Sequence, residues 1–108
     1  MTRYNSGYNF ERRVLAHFRK RSDFIYAMRS GGSKGLVDLL IILKGYILMV
    51  QSKKAGYLPK AELSGLLELK DKCKWSDDLM FVVVEQQKNH QKTTLLFRNL
   101  NGEVLDSF

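Results

Sequence analysis

Asp38 is the residue out of place in the run Leu36-Val37-Asp38-Leu39-Leu40-Ile41-Ile42, because a carboxylate set in an apolar strand loses hydration unless it finds a partner. A divalent cation is one such partner. Mg²⁺ takes oxygen ligands, usually one or two carboxylates with waters and phosphate oxygens. Asp38, the amide oxygen of Gln51 and a nearby backbone carbonyl, that of Ser52, therefore make a suitable donor set. Lys53, two residues past Gln51, would then orient or deprotonate an attacking water and stabilise charge building on a phosphate. The competing reading is a plain ion pair between Asp38 and Lys53 at a strand end. Glu11 is the second anomaly. On a helical wheel it falls between Phe18 and Leu15, inside an apolar arc, where a glutamate is uncommon unless it is paired or binds metal. The alternative for Glu11 is a buried bridge to Arg29 or Lys53.

These residues need elements to bring them together. Phe10, Val14, Leu15 and Phe18 recur at helical spacing, which predicts an amphipathic helix over 6–21 with Ser6 as its cap. A first strand is expected at 24–29, followed by a glycine-rich loop at 30–35. The apolar stretches 36–43 and 46–53 flank Lys44 and Gly45 and predict an antiparallel hairpin. With that turn, Leu43 faces Tyr46, and the register carried back sets Asp38 across from Gln51 with both side chains on one face; Lys53 shares it. A second helix is expected at 61–74, with Pro59 near its start and Leu63, Leu66, Leu67 and Lys70 on one face. The run 79–84 fits a buried strand, 85–91 a polar loop, 93–98 a further strand, and Asn101-Gly102 a last turn. The order predicts an α/β fold, a mixed central sheet of about five strands flanked by helices, with the second helix as a crossover.

Length and charge narrow the function. The 108 residues suit one domain, 1–108, and a hydrophobic fraction of 44% argues for a packed core. A net charge of +7 favours a polyanionic partner, nucleic acid ahead of heparin-like or membrane-surface ones. One cysteine, Cys73, makes no internal disulfide and points to a reducing compartment. The apolar runs fall short of the roughly 20 residues of a membrane span, and 1–9 lack a signal-peptide pattern. A soluble, intracellular, cytoplasmic protein is the expectation. No Walker-type spacing follows the glycine loop, so no nucleotide cofactor is expected. His17 and His90 have no spaced partners, which argues against zinc, and Trp75 reads as a helix-end anchor.

Three segments taken together resemble a family. Gly7-Tyr8-Asn9-Phe10-Glu11-Arg12, then Arg29-Ser30-Gly31-Gly32-Ser33-Lys34-Gly35-Leu36-Val37-Asp38, then Leu48-Met49-Val50-Gln51-Ser52-Lys53 are similar to the successive motifs of archaeal-type Holliday junction resolvases, within the PD-(D/E)XK nuclease class. The resemblance extends through Leu58-Pro59-Lys60-Ala61-Glu62-Leu63 and Phe81-Val82-Val83-Val84. It implies a restriction-endonuclease-like core and a Mg²⁺-dependent endonuclease, with Mn²⁺ as a substitute. It further implies a catalytic centre of Glu11, Asp38, Gln51 and Lys53. Arg12, Arg29, Ser33 and Lys34 would touch DNA, and a homodimer built through the second helix and the adjoining buried strand would cut a four-way junction symmetrically. The chain departs from the family at Gln51, where glutamate is usual. An amide oxygen still ligates but carries no charge, so weaker metal binding is expected, or a DNA-binding module that no longer cleaves. A general or restriction-type nuclease of the same class is the other alternative. Beside this centre, Arg13, Ser30, Lys54 and Lys60 join the expected DNA contacts, and Arg19, Lys20 and Arg21 either track phosphates or form a solvated helix face. A compact chain of this kind suits a virus as well as a cell.

Overall fold

The computed structural model describes residues 3–30, 37–53, 58–89 and 92–108, the side chains of 3–8 and 89 excepted. Its elements run α1 (Arg3–Arg19), β1 (Phe24–Arg29), β2 (Leu39–Leu43), β3 (Tyr46–Ser52), α2 (Lys60–Lys72), β4 (Leu79–Asn89) and β5 (Lys92–Arg98). The strands form one sheet in the order β1-β2-β3-β4-β5. Neighbours are antiparallel except β3 and β4, which are parallel. A parallel pair requires a crossover, and α2 supplies it.

Each face of the sheet takes one helix. Phe10, Val14, Leu15 and Phe18 of α1 pack on Leu39, Ile41, Leu43, Leu48, Val50, Val82, Val84 and Phe97. On the opposite face Leu66 of α2 meets Phe81, Val83 and Leu100, with Met49, Leu58, Leu63 and Leu69 around them. Cover on both faces is why the central strands read as continuous apolar runs and do not alternate. The β2–β3 hairpin turns at Lys44-Gly45, and the φ of 93° at Gly45 is one that only glycine adopts without strain. Its register runs from Leu43↔Tyr46 to Leu39↔Val50, as the turn predicted. At the other rim of this hairpin lies β1, whose pairing to β2 shifts between Phe24 and Tyr26. Ile25, Tyr26 and Met28 are exposed there. The segment entering β1 is fixed by Arg21, whose guanidinium grips both oxygens of Asp23 at 2.8 and 3.0 Å. Those charge-assisted bonds hold the Asp23 carboxyl below the ordinary carboxylate range.

Four expectations are corrected. Ser6 lies inside α1 and not at its start, since the helix begins at Arg3; Tyr4 and Tyr8, one turn apart and in line with Leu15, carry the helical spacing upstream of Ser6. The packed stripe of α2 is Leu63, Leu66 and Leu69, while Leu67 is exposed. The polar segment 85–91 is not a loop as far as Asn89: β4 continues through it and pairs with β5 as far as Asn89↔Lys92. Glu85 and Gln86 find polar partners instead of a core, Arg98 at 3.1 Å and Arg13 at 2.7 Å, and so this stretch shows no hydrophobic period. Trp75, 80% exposed, anchors nothing by burial. Among the described residues no helix is long and apolar enough to cross a membrane.

Candidate active site

The predicted residues come from one end of the sheet, where β1 and β3 finish and β2 begins. Leu39 is the first residue of β2 and is in register with Val50 of β3, and one residue before it the regular alternation fails. Val37 packs with the α2-side cluster although Leu39 packs with the α1-side cluster. Asp38, between them, is pinned by its backbone: its N–H donates to the Val50 carbonyl and its own carbonyl accepts from Ser30 N–H, both at 2.9 Å. The pairing of Asp38 with Gln51 that the extrapolated register predicted is therefore not formed. Instead the Asp38 carboxylate, through Oδ2, accepts from the N–H and the Oγ of Ser52 at 2.9 Å each. Both bonds fall on the one oxygen and leave Oδ1 outside them.

Gln51 and Lys53 lie one residue to either side of Ser52, and their shared partner is an acid outside the predicted centre, Glu62. Gln51 Nε2 donates to Glu62 Oε1 at 2.8 Å. Lys53 Nζ straddles the same carboxylate, 2.8 Å from Oε1 and 3.1 Å from Oε2. The strand is held straight past its end by Lys53 N–H donating to the Val84 carbonyl at 2.8 Å. Glu62 stands in the first turn of α2, where a negative charge complements the helix dipole. The ion pair weighed for Asp38 with Lys53 is thus made by Glu62. A signal for it did exist, since Glu62 precedes Leu66 and Leu69 by one and two turns and lies on the packed stripe of its helix, as Glu11 does on α1.

Gln51 is only 4% exposed, and its Oε1 is a buried side-chain atom with no hydrogen-bond partner among the described residues. Leaving such an acceptor unmade costs about 1–3 kcal/mol, so it wants a reason.

Glu11 meets Arg29, Nε to Oε1 at 3.0 Å, which is the bridge considered as its alternative. Arg29 ends β1, and Ser30 beside it donates to Asp38, so Glu11 is tied to Asp38 through a short chain of residues and not by a contact between carboxylates. Among the expected DNA contacts, Arg12, Ser30 and Lys60 are exposed and half-exposed Arg29 carries the Glu11 bridge. Arg13 donates to Gln86 Oε1 at 2.7 Å. Ser33, Lys34 and Lys54, with the glycine loop, lie outside the described residues. Of the helix-flank cations, Arg21 is committed to Asp23 and the Ser107 carbonyl, while Arg19 and Lys20 are exposed. His17 Nε2 sits 2.7 Å from the Phe108 carbonyl, a satisfied histidine.

The donor chemistry suits a hard divalent cation. Among the described residues no three His, Cys, Asp or Glu side chains gather to hold a metal by themselves. Amide and carbonyl oxygens would have to complete a shell begun by Asp38, and the orphaned Oε1 of Gln51 is an acceptor of the kind such a cation would take.

No protein-family model and no curated protein matches this sequence. Solved structures match its fold. One is Hjc of Archaeoglobus fulgidus, a Holliday junction resolvase from an archaeal hyperthermophile, with a TM-score of 0.64 and 19% sequence identity over 86% of this chain and 76% of that one. The fold is accordingly the α/β, restriction-endonuclease-like one: a mixed five-stranded sheet flanked by two helices.

Proposed function

We propose that the chain is a metal-dependent endodeoxyribonuclease that cleaves branched DNA, four-way junctions first among them, as a homodimer. The observation that carries this reading is the buried, unpartnered oxygen of Gln51, one residue from the Ser52 that holds Asp38 and two from the ammonium of Lys53. It gains support from the fold shared with a resolvase and from a net charge of +7.

In this reading Asp38, Gln51 Oε1 and the Ser52 carbonyl would hold Mg²⁺, or Mn²⁺ in its place, with Glu11 on the flank of the site. When bound, the ion supplies Lewis-acid stabilisation of charge on a phosphodiester and makes water more acidic. The protein's own groups do the rest. Ser52 fixes the rotamer of Asp38, and Lys53 keeps a positive charge where negative charge grows on a phosphate oxygen. Arg29, placed by Glu11, and Arg12 orient the DNA backbone, as would Ser30, Ser33, Lys34, Lys54 and Lys60.

A labelled four-way junction and a linear duplex of matched sequence, each incubated with protein in Mg²⁺ and in Mn²⁺, test the proposal. Paired symmetric cuts in the junction and little cutting of the duplex are expected. Equal cutting of both would make this a general nuclease. Tight binding with no cutting in either metal would make it a DNA-binding module, a reading favoured by the uncharged ligand at Gln51.

Lys60, exposed at the start of α2, serves as a phosphate contact in this scheme. Lys60→Ala should weaken binding of junction and duplex alike and lower the slope of log affinity against log salt by about 1. An unchanged slope in a salt titration would remove Lys60 from the interface.

A further inference from the structure

A side-chain amide has two unlike ends, and a carboxylate can only accept. Beside Glu62, Gln51 must therefore present Nε2, which it does at 2.8 Å, and must turn Oε1 away. The reversed amide would set oxygen against oxygen in a part-buried place. Glu62 is itself held, since Lys53 Nζ reaches both of its oxygens and it precedes the packed Leu66 by one turn of α2.

We infer that Glu62 is a positioning residue for Gln51. It sets the direction of the amide so that the buried Oε1 faces a divalent cation, and the two side chains together do the work of a single ligating glutamate. This rests on the metal-dependent reading above. It also accounts for the amide at position 51. A glutamate there would meet Glu62 at hydrogen-bond distance, and two carboxylates so close cannot both stay ionised. Glutamine donates to Glu62 and accepts from the cation, satisfying both neighbours with one side chain. Partners of this kind, behind a ligand, orient it and raise its affinity for metal.

Calorimetric titration with Mn²⁺, without DNA, tests this on the full chain, with a thermal melt to show that each variant is folded. Glu62→Ala frees the amide to turn and should weaken Mn²⁺ binding about 10–100-fold. The exchange Gln51→Glu with Glu62→Gln reverses donor and acceptor, so Gln at 62 donates to Glu at 51 and leaves one carboxylate oxygen for the ion. That pair should bind Mn²⁺ at least as tightly as the wild type, and more tightly than Gln51→Glu alone. Unchanged affinity in Glu62→Ala, or an exchanged pair as weak as Glu62→Ala, would overturn the inference. Should Glu62→Ala fail to fold, the exchanged pair against Gln51→Glu decides. Failure of the underlying reading looks different: a wild type that binds no Mn²⁺, or an Asp38→Asn variant that binds it equally well, overturns the metal site and the role of Glu62 with it.

Discussion

Asp38→Asn should leave the protein folded and lower junction cleavage by about 10²–10³-fold, the scale on which removal of one preorganised electrostatic contact acts. The substitution is chosen for what it preserves. The Asn oxygen still accepts from Ser52 N–H and Oγ, the two bonds of 2.9 Å that fix this side chain, so the backbone at the mouth of β2 keeps its partners. What disappears is the negative charge. Alanine would confuse the result, since it leaves the Ser52 donors without their acceptor at about 1–3 kcal/mol. Single-turnover cleavage in Mg²⁺ beside a urea melt separates the two effects. Cutting at the wild-type rate would take Asp38 out of the mechanism.

The largest effect on stability should come from Phe18→Ala. Phe18 is fully buried under α1 and stands at the centre of a ring cluster, 5.6 Å from Phe97 and 6.1 Å from Phe108 between centroids. His17 leans on the same Phe97 at 5.0 Å. Truncation removes the ring and leaves a cavity that the surrounding strands cannot close, a loss of about 3–5 kcal/mol. Against a total of about 5–15 kcal/mol for a domain, much of the molecule would be unfolded at modest denaturant. Equilibrium urea unfolding measures it. A loss below about 1 kcal/mol would mean that helix α1 and the 97–108 segment pack far more loosely than described.

Sequence reasoning reached the hairpin because two local signals agreed there: a turn that needs glycine at position 45 and apolar runs of strand length on both sides. It also reached the crossover, since α2 falls between two strands too apolar to lie anywhere but inside. It missed the break at Asp38 for a physical reason. In a sheet covered on both faces every position is apolar, so Val37 and Leu39 look alike whichever side they serve, and a fault in alternation leaves no trace in composition. The partnership of Glu62 with Gln51 and Lys53 leaves only a weak trace in the sequence, its place on the packed stripe, for a related reason. An acid in the first turn of a helix is expected from the dipole alone, and its distance to β3 depends on how α2 is turned about its axis, which the exposed Leu67 shows was misjudged. The extension of β4 through Glu85 and Gln86 escaped because strands that leave the core keep pairing after they stop being hydrophobic.

The shifted pairing at Phe24 and Tyr26 matters beyond the strand that bears it. β1 is an outer rim of the sheet, and Ile25, Tyr26 and Met28 would make it adhesive if it were straight. Fibril growth needs a flat row of donors and acceptors on which an arriving strand can lie. The kink interrupts that row near its beginning, so a greasy border is kept from templating its own copies.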